Sequence, residues 1–420
     1  MAQTETVKPK RPLPKSRIMV NEQTAACYKA AWDAKEKGEP VGWSTAIFPQ
    51  EICEALDIPV LYPENHAAAV SAKHLGKEFI EHAEGPMQYP MNICSYARLN
   101  IGFADKLTGA DFNRPDPCMP PPDFLLLANN SCTQLMKWYE VLSKDLDIPI
   151  FFIDCLYNYT EEKPGDYKVK YIRTQIEEYI AAIEKLSGKK LDPDRFLEVQ
   201  KRSQINSKLF DDIIQLNTRK PAPLSGFDFF NYMSCLVLCR GKESTTKIFE
   251  QLKLEILEHI EKGTSSFPAE EEYRIHWEGI ACWPNLGHNL RTLKNMGVNA
   301  VINGYVTAWN VVYEPGDPDS MAYAYATSST NSFSTHSIME KRAGTIKRFG
   351  CEGMLCHVNK SCKLMTYHIL VGRHMIEEQT GVPVVNFDGD QSDTRVYSEA
   401  QFETRVQALV EIMKQNKEAK

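Results

Sequence analysis

Three cysteines of this 420-residue chain stand among polar residues that simple core packing does not call for. Cys132 in "ANNSCTQLM" and Cys362 in "HVNKSCKLM" each close an Asn-x-Ser-Cys tetrad that follows an apolar run and opens a helical pattern. Cys94 in "MNICSYARLN" sits at the same kind of junction, between Asn92 and Ser95. A cysteine in the first turn of a helix feels the positive end of the helix dipole and the unsatisfied N–H groups there, which lowers its pKa and favours thiolate, the form that ligates metal. Asn129 and Asn359, or Ser131 and Ser361, are available to cap the two helices. Three such thiols could converge on one metal group, and backbone amides that donate to metal-bound sulfur tune iron-sulfur centres. A zinc site is a poor match, because no C-x-x-C pair or spaced histidines accompany them.

Other polar groups stand at strand ends. "GWSTAIFPQE" puts Ser44 on a strand start and "LYPENHAA" puts Glu64 directly after another strand, both at ends where a ligand could be met. A carboxylate there can move protons, a role that burial would assist by raising its pKa, although Glu64 or Asn65 could equally cap the next helix. His66 and His357 are candidate bases, but a lone histidine beside an apolar run is more often a hydrogen-bonded core residue. "NFDGDQSDTR" is rich in carboxylates and is expected to be a solvated turn. Cys235 and Cys239, four apart, share a helix face and are expected to pack in the core. Cys27, Cys53, Cys118, Cys155, Cys282, Cys351 and Cys356 lack matching polar company and are expected to be structural.

The elements that must position these groups come from the hydrophobic pattern. Continuous apolar runs at Val41 to Phe48, Ile58 to Tyr62, Phe124 to Ala128, Ile148 to Ile153, Ile275 to Trp283, Val298 to Tyr305, Gly353 to His357 and Val382 to Phe387 alternate with helical stretches. That pattern predicts parallel strands covered on both faces. Between them, Asp166 to about Gly263 has helical periodicity with charged faces, broken at Pro221 to Gly226. The segments around Cys132 and Cys362 both run strand, tetrad, helix, apolar-Pro-apolar strand, aspartate. This predicts an internal duplication: an α/β protein of two Rossmann-like parallel-sheet halves, 21–160 and 266–420, joined by a mainly helical region, 161–265. Ligands meet such sheets at the carboxyl ends of their strands.

Composition narrows the function classes. A 43% hydrophobic content is ample for a large core, and a formal charge of −7 argues against a nucleic-acid partner. Residues 1–20, rich in proline and cations, are expected to be a disordered basic tail. The absence of a secretory apolar segment or an 18-residue apolar run predicts a cytoplasmic protein without membrane association. Twelve cysteines in a chain this long do not make a disulfide scaffold. No G-x-G-x-x-G, Walker-type loop or G-x-S-x-G elbow occurs, so nicotinamide enzymes, P-loop ATPases and serine hydrolases lose ground.

Taken together, "VGWSTAIFPQE", "LYPENHAAAV", "NICSYARLN", "ANNSCTQLMKWYE", "GFDFFNYM", "EEYRIHWEGIACWP", "HVNKSCKLM" and "FDGDQSDTRVYSEAQFETRVQALVE" resemble the α subunit of the 2-hydroxyacyl-CoA dehydratases of anaerobic amino-acid fermentation. The resemblance covers nearly all of the chain beyond about residue 20. It implies a lyase that eliminates water from an (R)-2-hydroxyacyl-CoA to give the 2-enoyl-CoA. It implies one subunit of a heterodimer with a homologous β subunit, and an ATP-dependent iron-sulfur activator that injects one electron to form a ketyl radical. It further implies a 4Fe-4S cluster held by Cys94, Cys132 and Cys362, its fourth iron keeping water, hydroxide or substrate. Ser44 and Glu64 are then the candidates for binding the iron-bound oxygen species and for handling the leaving hydroxyl or the β-proton. Two alternatives stay open: a subunit of an ATP-driven aromatic acyl-CoA reductase of the benzoyl-CoA type, and a non-catalytic electron-transfer or scaffold subunit.

Overall fold

The computed structural model of the protein describes residues 12–109, 112–158, 163–328 and 332–419. Each of the eight apolar runs overlaps a strand: β1 Gly42–Ser44, β2 Val60–Leu61, β3 Phe124–Ala128, β4 Ile150–Ile153, β5 Tyr273–Glu278, β6 Val298–Asn303, β7 Gly353–Asn359 and β8 Val384–Gly389, of which β5 starts two residues before its run and β7 and β8 extend two beyond theirs. They form two four-stranded sheets, ordered β2-β1-β3-β4 and β6-β5-β7-β8, and every pairing is parallel. Both sheets therefore repeat one order (second, first, third, fourth), as the duplicated sequence pattern predicts. Strands β3, β5, β6 and β7 are buried along their whole length; β3 accordingly reads as a continuous apolar run, whereas β5, Tyr-Arg-Ile-His-Trp-Glu, alternates and buries its polar members in pairs, Arg274 with Glu271 and His276 with Glu278.

The middle of the chain is helical, with helices Asp166–Ser187, Pro193–Leu216, Phe229–Cys239 and Glu243–Glu261. The first of these buries Ile172, Ile176, Tyr179 and Ile183, a stripe at helical spacing, and stops at Gly188, whose φ of +69° suits glycine. Helix Lys15–Glu36 begins inside the segment expected to be a tail; of that segment, residues 1–11 lie outside the described residues. Its early turns bury Ser16 and Val20 against the helical region: the Ser16 hydroxyl meets Tyr232 Oη at 2.7 Å and its N–H donates to Glu255 at 2.9 Å. The composition of the first twenty residues hid this, because a few small and apolar side chains are enough to seat one helical turn. Cys235 and Cys239 are buried, as expected, and Cys239 Sγ lies 3.0 Å from Cys27 Sγ. No helix among the described residues is long and apolar enough to cross a membrane.

The carboxyl ends of the two sheets are joined by polar contacts. Buried Arg98, on helix Ser95–Leu107 of the first half, bonds Asp393 of the second at 3.2 Å and also pairs with Glu84. Ser71 and Ser392 share a hydrogen bond of 2.7 Å across the same boundary. A second buried link runs through Arg240, which donates to Glu51 at 3.2 Å and to Tyr325 Oη at 2.7 Å.

Candidate active site

Each candidate thiol opens a helix. Cys94 is the N-cap of Ser95–Leu107, Cys362 is the N-cap of Lys363–Thr380, and Cys132 directly precedes Thr133, the N-cap of Gln134–Leu146. The three are connected by hydrogen bonds through the residues beside them. Cys94 N–H donates to Gln134 Oε1 at 3.2 Å, and Gln134 N–H donates to Cys132 Sγ at 3.4 Å. On the other side, Ser95 N–H donates to Ser361 Oγ at 3.1 Å, one residue before Cys362. The thiols feel one another electrostatically: Cys132 and Cys94 both act on Cys362, and Cys132 acts on Cys94. All three keep partial exposure, whereas seven of the other nine cysteines are buried and only Cys27 and Cys118 share this partial exposure.

Their protonation differs from the sequence expectation. Burial, more than any other cause, pushes Cys94 up to about 12 and raises Cys132 and Cys362, and repulsion among the sulfurs adds to it for Cys94 and Cys362. The helix-start amides do oppose this, from Ala97 and Tyr96 on Cys94, Gln134 and Leu135 on Cys132, and Met365 on Cys362. Desolvation of three clustered thiols outweighs one helix turn apiece, so without a cation they stay protonated.

The two tetrads do not behave alike. Asn359 Oδ1 accepts from the N–H groups of Ser361 (3.3 Å) and Cys362 (3.2 Å) and so shapes the turn. Asn129 instead ties β3 to the end of β4, accepting from Cys155 N–H at 2.6 Å and donating to Asp154 at 2.7 Å.

Glu64 lies in the first turn of helix Pro63–Ala72 and makes no cap there. Its carboxylate reaches back to the loop after β1, where Oε2 accepts from Ala46 N–H at 2.7 Å. Burial, partly offset by that amide, raises its pKa to about 7. A carboxyl group near neutrality can both take and give a proton. Ser44 ends β1 and is buried, with its hydroxyl donating to Thr45 O at 3.0 Å. His66 and His357 are core residues: His66 Nε2 lies 3.1 Å from Pro117 O and burial lowers its pKa to about 4, while His357 stacks on Phe387 at 5.1 Å.

A sequence profile of the family "2-hydroxyglutaryl-CoA dehydratase, D-component" matches residues 45–413. The chain belongs to that family. It is 43% identical over 403 residues to the (R)-2-hydroxyisocaproyl-CoA dehydratase alpha subunit of Clostridioides difficile, covering 96% of this chain and 97% of the relative. It is 42% identical over 405 residues to the (R)-phenyllactyl-CoA dehydratase alpha subunit of Clostridium sporogenes, covering 96% and 97%. A benzoyl-CoA reductase subunit of Thauera aromatica is more distant, at 24% identity over 423 residues, with 96% and 95% covered. Glu64, Cys94, Cys132 and Cys362 fall within the matched span, and Ser44 immediately precedes it.

One expectation is overturned. The carboxylate-rich stretch is not a solvated turn: Asp390, Gln391, Ser392 and Asp393 are all buried. Asp390 Oδ2 accepts from the N–H and hydroxyl of Ser361, and its Oδ1 accepts from Ser392 N–H at 2.9 Å and Asp393 N–H at 3.0 Å. Gln391 accepts from Asn359 and donates to Cys94 Sγ at 3.4 Å. The turn is polar because it braces the cysteine loops, not because it faces water. Sequence reasoning also passed over Tyr96, Trp283 and Tyr305. Trp283 Nε1 donates to Tyr96 Oη, and the Tyr96 and Tyr305 hydroxyls are hydrogen-bonded to each other. Tyr305 Oη has Glu64, Cys362 and Cys94 as electrostatic neighbours. The polar-aromatic tail of the run ending at Tyr305, just past a strand, was the available signal.

Proposed function

We propose that the protein is the iron-sulfur subunit of a 2-hydroxyacyl-CoA dehydratase, eliminating water from an (R)-2-hydroxyacyl-CoA to give the 2-enoyl-CoA. The observation that carries this reading is the meeting of three helix-start thiols from both halves of the chain beside a carboxyl group tuned to about 7. Among the described residues no three His, Cys, Asp or Glu side chains are placed to share a single metal ion. Three thiols linked through hydrogen bonds of their neighbours, yet not gathered on a single ion, suit a polynuclear group, whose thiolates bind different irons. Cys94, Cys132 and Cys362 would hold a 4Fe-4S cluster, with Gln391 and the helix-start amides donating to their sulfurs. Such a cluster supplies a Lewis acid at an iron without a protein ligand and a route for one electron.

The chain's own residues then account for the proton chemistry. Glu64, held by Ala46 N–H, takes the proton from Cβ of the substrate or returns one to the leaving oxygen. Ser44, at the end of the central strand β1, can turn its hydroxyl from Thr45 O toward a bound oxygen. The relatives named as alpha subunits support a homologous β subunit as partner, and one-electron entry calls for an ATP-dependent iron-sulfur activator. The test is iron content after anaerobic purification: about four irons per chain are expected, lost in Cys132→Ser. A Cys132→Ser protein with undiminished iron refutes the ligand set.

A further inference from the structure

The repeated strand order gives Glu64 a counterpart. In the first sheet β2 lies outside β1, and Glu64 follows β2 closely; in the second sheet β6 lies outside β5, and Tyr305 follows β6 at the equivalent place. Tyr305 is partly exposed, while Asn303, Gly304 and Val306 around it are buried. Its N–H donates to Asn303 Oδ1 at 2.7 Å, and its ring packs edge-on against Trp309 with centroids 5.1 Å apart.

The loop that carries it is clamped from behind. Gly304 N–H donates to Trp277 O at 3.2 Å, and its carbonyl accepts from Arg342 Nη2 at 3.3 Å. Arg342 pairs with Glu278 at 2.7 Å, and His276 Nε2 lies 2.8 Å from the same Glu278 carboxylate. A Cβ on Gly304 would overlap Glu278 and Arg342, so the loop lies flat against this buried pair. In front, the Tyr305 hydroxyl meets Tyr96, itself fixed by Trp283, and has Glu64, Cys94 and Cys362 as electrostatic neighbours.

From this juxtaposition we infer that Tyr305 is a further catalytic residue, the donor to the α-hydroxyl of the substrate and the acid that protonates it as it leaves. The inference rests on the dehydratase reading above. The Cα–O bond breaks with its electron pair on oxygen, the oxygen takes the phenolic proton, and water departs. In the net step Glu64 takes the Cβ proton, the Cβ–H electron pair becomes the Cα=Cβ bond of the 2-enoyl-CoA, and the proton returns through solvent from Glu64 to the phenolate, so the residues end as they began and the elimination is redox neutral overall. A phenol suits the acid role because burial, the largest cause, and the neighbouring Glu64 keep it protonated.

The test uses the complete, cluster-loaded enzyme with its partner and activator, and Tyr305→Phe, which keeps the ring against Trp309. With (R)-2-hydroxyisocaproyl-CoA as probe, kcat is expected to fall by about 10²- to 10⁴-fold while KM rises by no more than about tenfold, the loss of one hydrogen bond to the hydroxyl. A binding readout without activator separates acid from scaffold: wild type should prefer (R)-2-hydroxyisocaproyl-CoA over isocaproyl-CoA by about tenfold. The variant should bind isocaproyl-CoA as wild type does and lose that preference. If wild type turns over the probe and Tyr305→Phe matches it in both readouts, the assignment of Tyr305 is overturned alone. If wild type turns over no 2-hydroxyacyl-CoA, the dehydratase reading falls and takes this one with it.

Discussion

Replacing Glu64 by Gln should remove turnover and at the same time make the protein more stable above neutral pH. Burial lifts the carboxyl from 4.5 to about 7 in the folded chain. Its folded pKa is above its unfolded value, so the protonated carboxyl favours folding below about pH 4.5, and that contribution is lost as pH rises through about 7. At 1.36 kcal/mol per pKa unit the full effect is about 3 kcal/mol. Because Glu64 is only half-buried and water still reaches it, about 2 kcal/mol is the better figure. Glutamine has the same shape, keeps an oxygen for Ala46 N–H and carries no charge. Urea unfolding of wild type and Glu64→Gln, matched in iron content and followed by tryptophan fluorescence, should give nearly equal stabilities at pH 5. At pH 8 the variant should be ahead by about 2 kcal/mol. A gap that does not change with pH, or a variant weaker than wild type at pH 8, refutes the claim that a half-buried carboxylate with no cation beside it stands at this position.

Arg240→Met should destabilise the chain by about 3–5 kcal/mol, because it leaves Glu51 charged, buried and short of its cation. Adding Glu51→Gln should recover part of that loss in the same denaturation assay. Gly102→Ala should cost about 1–3 kcal/mol, since its Cβ would overlap the Phe79 carbonyl where helices Lys77–Glu84 and Ser95–Leu107 touch; an unchanged unfolding midpoint would mean the two helices are free to separate.

The parts of the fold written in local pattern were readable from the chain. A strand buried on both faces is an unbroken apolar run, and a duplicated βαβ unit repeats its tetrad, so the two sheets and their cysteine junctions could be anticipated. What depends on distant partners was not readable. The acidic stretch from Asp390 to Asp393 has the composition of a surface turn, and partners far away in sequence, among them Arg98, Ser361 and Ser71, make it an interior one. The thiol pKa values failed for a related reason: the helix-start effect is local, whereas desolvation and sulfur-sulfur repulsion arise only once three junctions meet. Tyr305 was hidden because its meaning comes from the place of β6 in the second sheet, which mirrors that of β2 in the first.

The division of the thiols between the halves has a consequence for how the protein is made. Cys94 and Cys132 belong to the first half and Cys362 to the second, linked by the bonds of Gln134, Ser361 and Gln391. A nascent chain that has folded only its first sheet holds two thiols and no closed site. On the proposed ligand set, a cluster that needs all three would be inserted only after β7 and the helix behind Cys362 have docked, so that loading would act as a checkpoint on finished folding and a chain truncated before that strand should carry no iron-sulfur colour.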